Sequence, residues 1–277
     1  MNKKIRLDVL LVERGLAETR EKAKRTIMAG LVYSDQIRMD KPGMKVDPDI
    51  SLKIKGNPLP YVSRGGLKLE KALKEFHLSV DGKIMMDVGS STGGFTDCAL
   101  QNGAKLVYAI DTGYNQLAWK LRNDERVIVM EKTNFRYVTA EDLTYGIPEF
   151  ATIDVSFISL KLILPVIKQL MPSGSDVFAL IKPQFEAGRD QVGKKGIIRD
   201  PDIHLEVIQK IISYSLSLGF FVHHLTYSPI TGGDGNIEFL IHVEVSNENE
   251  GMMDSEVKPE EVVLAAHQTL KKESRTS

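Results

Sequence analysis

Residues 86–95 read Met-Asp-Val-Gly-Ser-Ser-Thr-Gly-Gly-Phe, and this stretch decides the fold of the 277-residue chain. It joins an apolar segment, typical of a buried strand, to the start of a helix. The glycines let the backbone turn sharply and approach a ligand without interference from side chains. Free amides at the start of a helix favour an anionic group there. A ligand-binding turn is therefore predicted, and a purely structural turn between strand and helix is the alternative.

The spacing of this stretch indicates which ligand it suits. Its pattern is Asp-x-Gly-x-x-x-Gly-Gly, whereas the dinucleotide fingerprint is Gly-x-Gly-x-x-Gly. The variant suits an adenosyl ligand that has no pyrophosphate. Asp111 follows the next apolar segment, where an acid can accept hydrogen bonds from two ribose hydroxyls. The predicted cofactor-binding residues are Asp87, Gly89, Ser90, Ser91, Gly93, Gly94, Phe95, Asp111, Asn134 and Asp154, with Asn134 and Phe135 flanking the adenine.

The segments around this motif alternate between strand and helix patterns. Such alternation predicts an α/β domain with a mostly parallel, Rossmann-like sheet of seven strands. A helix is predicted over 65–77 and further helices between the strands. The predicted strands cover residues 84–88, 105–110, 127–130, 150–155, 176–182, 220–227 and 237–245.

The first part of the chain has a different pattern and an excess of positive charge. Residues 6–55 read as two short helices followed by short strands, which predicts a small α+β domain. Residues 1–60 contain 13 Lys and Arg against 8 Asp and Glu, an excess of five that suits a polyanionic partner. The expected division is a first domain over 1–58, a linker over 59–64, the α/β domain over 65–246 and a polar tail over 247–277. Much of this tail is expected to be mobile, although 259–272 could form a short helix.

Several classes of protein are disfavoured by composition. No run approaches the roughly 18 apolar residues of a membrane-spanning helix. Charges at Asp8, Glu13 and Arg14 interrupt the N-terminal apolar segment, which argues against a signal peptide. The single cysteine excludes an internal disulfide framework, and the six histidines have no metal-ligand spacing, so no metal is expected. The expected location is the cytoplasm.

Five segments together resemble one family. They are YVSRG at 61–65, MDVGSSTGGFTD at 86–97, IDVSFISL at 153–160, IKPQFEAGRD at 181–190 and GNIEFL at 235–240. In this order they resemble the TlyA-type ribosomal RNA 2′-O-methyltransferases of the FtsJ-like class, some of which are called hemolysins. The segment RLDVLLVERGLAETREKAKRTIMAG at 6–30 resembles the S-four RNA-binding domain.

The resemblance implies an enzyme that uses S-adenosylmethionine to methylate a ribose 2′-OH of cytidine in ribosomal RNA, free or in ribosomal subunits. It implies a catalytic set of Lys68, Asp154, Lys182 and Glu238. Two departures from the family pattern are Leu59-Pro60-Tyr61-Val62 in the linker and Ser34-Asp35-Gln36 in place of Val-Asn-Gly. The predicted RNA-binding residues are Arg6, Arg20, Lys22, Lys24, Arg25, Lys41 and Arg64.

The four catalytic candidates have plainer interpretations. Lys68 shares a helix with Lys71 and Lys74 and could lie on a solvated face, and Glu238 could be an ordinary strand residue. Lys182 admits two roles, as a neutral acceptor of the hydroxyl proton or as a charged group that aligns the hydroxyl.

Three other functions compete. A base methyltransferase would carry Asn/Asp-Pro-Pro-aromatic where this chain has Asp-Val-Ser-Phe at 154–157. A membrane-active hemolysin would need an amphipathic cationic helix. A non-catalytic RNA-binding factor would have no need of the intact glycine motif and all four polar positions.

Overall fold

The computed structural model describes residues 4–28, 30–35, 37–56, 59–188, 190–193, 196–232 and 235–273. The chain forms two compact units, residues 1–60 and residues 61–277. Asn57 and Pro58, at the expected end of the first domain, lie outside the described residues, as does Gln36, where the chain departs from the family pattern.

The first unit is a small α+β fold. Helices α1 and α2 pack against each other through the fully buried side chains of Leu7, Leu11, Ala23 and Ile27. Thr19 precedes α2 and its Oγ1 accepts a hydrogen bond from the amide of Lys22 at 3.2 Å, which caps the helix. The elements are β1 (Ile5–Arg6), α1 (Leu7–Glu13), α2 (Arg20–Met28), β2 (Val32–Ser34), β3 (Ile37–Arg38), β4 (Lys45–Val46) and β5 (Lys53–Ile54).

The second unit alternates strands and helices, and short 3-10 helices cover 135–137, 140–142 and 160–162. The strands are β6 (Ile84–Val88), β7 (Leu106–Ile110), β8 (Val127–Met130), β9 (Phe150–Ile153), β10 (Asp176–Ile181), β11 (Phe220–Tyr227) and β12 (Phe239–Val245). The helices are α3 (Gly66–Glu75), α4 (Gly94–Gln101), α5 (Trp119–Arg122), α6 (Leu164–Leu170), α7 (Pro183–Glu186), α8 (Pro201–Ser217) and α9 (Pro259–Glu273).

The seven strands form one sheet in the order β11-β12-β10-β9-β6-β7-β8. Strands β8, β7, β6, β9 and β10 are parallel, and β12 pairs antiparallel with both β10 and β11. The predicted Rossmann-like sheet of seven strands is therefore confirmed. Ligands bind such sheets at the carboxyl ends of the parallel strands, and this edge carries the residues discussed below.

Apolar layers cover both faces of the sheet. One layer includes Leu69 of α3, Cys98 of α4 and Phe178 of β10, all fully buried. The other includes Ile167 of α6 and Ile208 of α8. The parallel strands are buried on both faces, which explains why they read as continuous apolar runs rather than as alternating patterns.

One expectation from the sequence was wrong in detail. Glu238 was expected inside a strand, but β12 begins one residue later, so the side chain lies just before the strand. The possible short helix over 259–272 is present as α9, which packs on α8 and buries Val263 and Ala266. The apolar positions of α9 lie three residues apart on one face, which supplies the packing surface.

The segment before α9 covers an edge of the sheet. The amide of Val222 in β11 donates to the carbonyl of Met252 at 2.8 Å, and the amide of Asp254 donates back to the carbonyl of Val222 at 2.9 Å. Among the described residues, no helix is both long and apolar enough to cross a membrane.

Candidate active site

The glycine motif forms the turn between β6 and α4. Gly89 has φ +85°, and a Cβ there would lie 2.5 Å from the carbonyl oxygen of Asp154. Gly93 has φ +94° and a Cβ there would lie 2.3 Å from the side chain of Leu121. Positive φ favours glycine at both positions, and at Gly89 the close approach of the Asp154 backbone leaves no room for a side chain. The turn brings the end of β6 against the end of β9.

The buried Asp87, near the end of β6, holds this turn through hydrogen bonds. Thr96 donates to Asp87 Oδ2 from its amide at 3.0 Å and from its hydroxyl at 2.7 Å, and Thr152 donates to Oδ1 at 3.1 Å. Burial raises the pKa of Asp87 to about 6, even though these hydrogen bonds act to lower it. The carboxylate therefore ties β6 to the first turn of α4 and to β9.

Asp111 lies directly after β7 and faces a cavity of about 370 Å³. The amide of Ser91 donates to its Oδ2 at 2.8 Å and the amide of Gly113 donates to its Oδ1 at 2.6 Å. Two backbone amides thus fix the orientation of the carboxylate. The cavity is lined by Val88, Gly89, Ser91, Ile110, Asp111, Thr112, Gln116, Thr133, Asn134, Phe135, Asp154, Val155, Ser156, Phe157, Ile158 and Ile163.

A second cavity, of about 350 Å³, shares Gly89, Ser91, Asp154 and Ser156 with the first. It receives the predicted catalytic side chains from four separate segments: Lys68 from α3, Asp154 after β9, Lys182 after β10 and Glu238 before β12. Arg64, predicted to bind RNA, and the motif residues Ser90, Gly94 and Phe95 also line it. The structure therefore brings all four catalytic candidates together.

The four charged groups form a continuous chain of ion pairs. Lys68 Nζ lies 2.7 Å from Glu238 Oε2 and 3.4 Å from Asp154 Oδ2. Lys182 Nζ lies 2.5 Å from Asp154 Oδ1 and donates to Ser156 Oγ at 3.2 Å. Lys68, Lys182 and Glu238 are buried, with exposures of 7%, 8% and 3%. The solvated-face interpretation of Lys68 is therefore wrong.

Burial and pairing act on the protonation of this set in opposite directions. Burial acts to lower the pKa of Lys68, but the carboxylates of Asp154 and Glu238 outweigh it and raise the pKa. Burial acts to raise the pKa of Asp154, but Lys68 and Lys182 outweigh it and lower the pKa. Lys68 is therefore a permanent cation and Asp154 a permanent anion at neutral pH.

Phe157 is a site residue that the sequence did not single out. It adopts φ +63° and is 91% exposed, at the rim of the cavity that holds Asp111. Its ring lies 4.9 Å from that of Phe185. An exposed aromatic ring on strained backbone beside a site indicates a contact surface for a ligand. Its only sequence signal is an aromatic three residues beyond a site carboxylate.

Glu186 is a second residue that sequence reasoning missed. It is buried, accepts a hydrogen bond from Ser159 Oγ at 2.5 Å and accepts another from the amide of Leu160 at 2.7 Å. It thereby ties the segment after Asp154 to α7, which follows Lys182.

Comparison with known proteins identifies the family. The model of the FtsJ-like methyltransferases matches residues 61–245, and that of the S4 domain matches residues 5–49. The chain belongs to the FtsJ-like methyltransferase family. The predicted family and enzyme class are confirmed, and with them S-adenosylmethionine as the cofactor.

Three similar proteins illustrate the membership. YqxC of Bacillus subtilis, a candidate rRNA methyltransferase, is 68% identical over 273 residues, which cover 98% of this chain and 96% of the relative. TlyA of Mycobacterium tuberculosis, a 16S/23S rRNA (cytidine-2′-O)-methyltransferase, is 39% identical, with 87% and 90% covered. A solved structure of a hemolysin candidate from Streptococcus thermophilus is 54% identical, covers 99% of this chain and 100% of that one, and has a TM-score of 0.79.

The cavity that holds Asp111 fits an adenosyl group. Its volume is typical of a small-molecule pocket, Ile110 and Phe135 provide apolar walls, and the fixed carboxylate of Asp111 can accept from two hydroxyls. Asn134 Oδ1 accepts a hydrogen bond from the amide of Arg136 at 3.2 Å, so Asn134 is the N-cap of the 3-10 helix that begins at Phe135.

The predicted RNA-binding residues are distributed over both units. All those of the first unit are exposed, and so is Arg64 of the second. Lys22 pairs with Glu18 at 2.6 Å, and Arg6 and Arg20 both pair with the buried Asp8. Their contact with RNA stays a prediction. No group of histidine, cysteine or acidic residues in the described ranges could hold a metal ion.

Proposed function

We propose that this protein transfers the methyl group of S-adenosylmethionine to the ribose 2′-OH of a cytidine in ribosomal RNA. The observation that carries the proposal is the convergence of Lys68, Asp154, Lys182 and Glu238 on a cavity contiguous with the one that Asp111 faces. Bound S-adenosylmethionine supplies an electrophilic methyl group, and the protein must present an oxygen nucleophile to it in line.

A ribose hydroxyl is a weak nucleophile, so a site for it must orient the oxygen and accept its proton. We assign the orientation of the hydroxyl to Lys182, whose Nζ lies close to both Asp154 Oδ1 and Ser156 Oγ at the cavity wall. Two routes are open for the proton: a neutral Lys182 takes it, or a charged Lys182 aligns the hydroxyl while the proton leaves to water. Lys68 serves a different purpose. Because its pKa is raised, it remains charged and holds Asp154 and Glu238 in place.

The cofactor would be held mainly by Asp111 and by the turn after β6. Asp111 would accept hydrogen bonds from the two ribose hydroxyls of the adenosyl group, and Phe135 and Asn134 would border the adenine. Gly89 and Ser91 line both cavities and would contact the cofactor from the turn. The free amides at the start of α4 favour the carboxylate of the methionyl part.

The choice of substrate rests on three supports. The S4 domain over residues 5–49 carries exposed basic side chains suited to phosphates. The relative from M. tuberculosis is named for cytidine 2′-O-methylation of ribosomal RNA. The exposed ring of Phe157 offers a flat apolar surface at the site rim, which suits an unstacked base.

The direct test is transfer of labelled methyl groups to ribosomal RNA and to ribosomal subunits from cells that lack the modification. Wild-type protein and the Lys105→Ala control, changed at an exposed residue just before β7, should label the RNA equally. Asp111→Ala should require a much higher cofactor concentration for the same rate. Binding of the cofactor without label on either RNA sample would refute the proposal.

A further inference from the structure

The first unit contains a buried carboxylate that the proposed catalytic chemistry does not use. Asp8 follows β1 and is 0% exposed, although acidic side chains are rarely buried without partners. Its two charged neighbours are arginines on different elements. Arg6 lies in β1 and Arg20 is the first residue of α2.

The contacts between these three residues define a fixed geometry. Arg6 Nε donates to Asp8 Oδ1 at 2.9 Å and Arg6 Nη2 donates to Oδ2 at 3.1 Å. Arg20 Nη2 donates to the same Oδ2 at 3.0 Å. The amide of Val9 also donates to Oδ1, at 3.1 Å. One oxygen therefore joins both guanidinium groups and sets the distance between them.

The two arginines remain open to solvent on their other sides. Their side chains are 46% and 55% exposed, although both end on a buried acid. A guanidinium has five N–H donors, of which Arg6 commits two to Asp8 and Arg20 commits one. Within the described part of the chain, neither arginine makes another side-chain hydrogen bond, so most of their donors are uncommitted.

A third contact limits the movement of Arg6. A Cβ placed on Gly43 would lie 3.3 Å from Arg6 Nη1, so the guanidinium lies close along the turn at residues 41–43. The backbone of this turn is held by the amide of Asp8, which donates to the carbonyl of Pro42 at 3.1 Å. The exposed Lys41 belongs to the same turn.

Two cations held by one buried anion leave a net positive charge with pre-set donors. Hydrogen bonds from Arg6 lower the pKa of Asp8 to about 2, against the opposing effect of burial, so the carboxylate is ionised throughout the physiological range. An ionised carboxylate only accepts hydrogen bonds and therefore keeps both guanidinium groups in register. Planar forks of this kind match the oxygens of a phosphodiester.

We propose that Asp8 is a positioning residue that holds Arg6 and Arg20 as a single binding site for a backbone phosphate of the RNA substrate. The proposal rests on the proposed function for the nature of the ligand. A positioning role and a purely electrostatic role for Asp8 predict opposite changes in RNA affinity when its charge is removed. Removal of a negative charge strengthens RNA binding if only net charge matters, whereas it weakens binding if Asp8 sets the geometry.

The test compares Asp8→Asn with Glu13→Gln in the full chain, with ribosomal RNA from cells lacking the modification as the probe. Both variants remove one negative charge, but Glu13 is exposed on α1. Asp8→Asn should weaken binding about tenfold, the worth of one charge-assisted phosphate contact. It should also reduce the slope of log affinity against log salt by about 1. Glu13→Gln should bind as tightly as wild type or more tightly.

A double-mutant cycle separates positioning from a general loss of structure. In an Arg6→Gln/Arg20→Gln background, Asp8→Asn should change the affinity less than about twofold, because the groups it acts through are gone. Arg20→Lys gives a variant that keeps the charge and leaves Asp8 paired with Arg6, and it should bind about threefold to tenfold more weakly. Circular dichroism confirms that each variant is folded.

The outcomes are distinct from those that test the proposed function. If wild type methylates the RNA and Asp8→Asn binds it as tightly as Glu13→Gln, the positioning role is refuted while the function stands. Wild-type affinity of the Arg20→Lys variant would also refute the positioning role of Asp8. If wild type neither binds nor methylates ribosomal RNA, the proposed function fails first.

Discussion

Replacing Lys182 by alanine is expected to remove most methyl transfer while cofactor binding is retained. Lys182 lines the cavity that holds the four charged residues. Among the described residues, it does not line the cavity that Asp111 faces. A positioned proton-transfer group contributes about 10²- to 10⁴-fold in rate. This corresponds to about 3–5 kcal/mol of transition-state stabilisation. The affinity for S-adenosylmethionine should change less than about threefold, since no direct contact is lost.

The structure also indicates that this variant folds. Asp154 loses one partner at 2.5 Å but keeps Lys68 at 3.4 Å, so no carboxylate is left wholly unpaired. The assay is single-turnover methylation of unmodified ribosomal RNA, with calorimetric titration of S-adenosylhomocysteine for affinity. Lys105→Ala serves as the control, because Lys105 lies at the amino ends of the parallel strands, away from the site. A Lys182→Ala rate within tenfold of wild type would refute the assignment.

Arginine at position 182 separates the two roles open to this lysine. Arginine keeps the positive charge but does not give up its proton. If Lys182 accepts the hydroxyl proton, Lys182→Arg should be as inactive as Lys182→Ala at every pH. If Lys182 aligns the hydroxyl as a cation, Lys182→Arg should retain a measurable rate well above that of Lys182→Ala.

Three further predictions test other parts of the account. Asp111→Ala should weaken S-adenosylhomocysteine binding about 10²-fold in calorimetry, the worth of two hydrogen bonds to a charged acceptor, and unchanged affinity would contradict the cofactor assignment. Phe157→Gly should relieve the strain of φ +63° and stabilise the fold by about 1 kcal/mol in urea unfolding, while lowering the rate on RNA; a rate equal to wild type would argue against a base contact. His204 is buried, and burial lowers its pKa to about 4, so its neutral form is favoured in the fold and stability falls as pH drops from about 6.5 toward 4. From pH 7 to pH 5 the free energy of unfolding should fall by about 2 kcal/mol through this residue, and His204→Asn should show a shallower dependence; equal slopes would contradict this.

The elements with strong local signals were predictable from the sequence. The apolar runs gave strands β6, β8 and β11 with their observed bounds, and the glycine motif gave the turn before α4. Asp111 could be placed because it follows the next strand of a parallel sheet, whose carboxyl ends meet at one edge. Lys68 and Glu238 lie 170 residues apart in sequence. Their meeting at one site was predicted from the family resemblance and not from their spacing.

Features that depend on long-range contacts or on backbone strain left no pattern in the sequence. Glu186 contacts Ser159 across 27 residues, so no local period reveals it. The positive φ of Phe157 could not be predicted because phenylalanine has no preference for that conformation. The helix α9 could be suggested from the sequence, but its packing on α8 through Val263 and Ala266 could not, because that contact is long-range.

The central claim is methylation of a ribose oxygen in ribosomal RNA, and the most direct measurement locates the added methyl group. RNA labelled by wild-type protein would be hydrolysed in alkali and the products separated. A 2′-O-methyl group blocks cleavage at its own linkage, so we expect label in an alkali-resistant dinucleotide whose 5′ nucleoside is 2′-O-methylcytidine. Label released in ordinary mononucleotides would place the methyl group on a base and contradict the account.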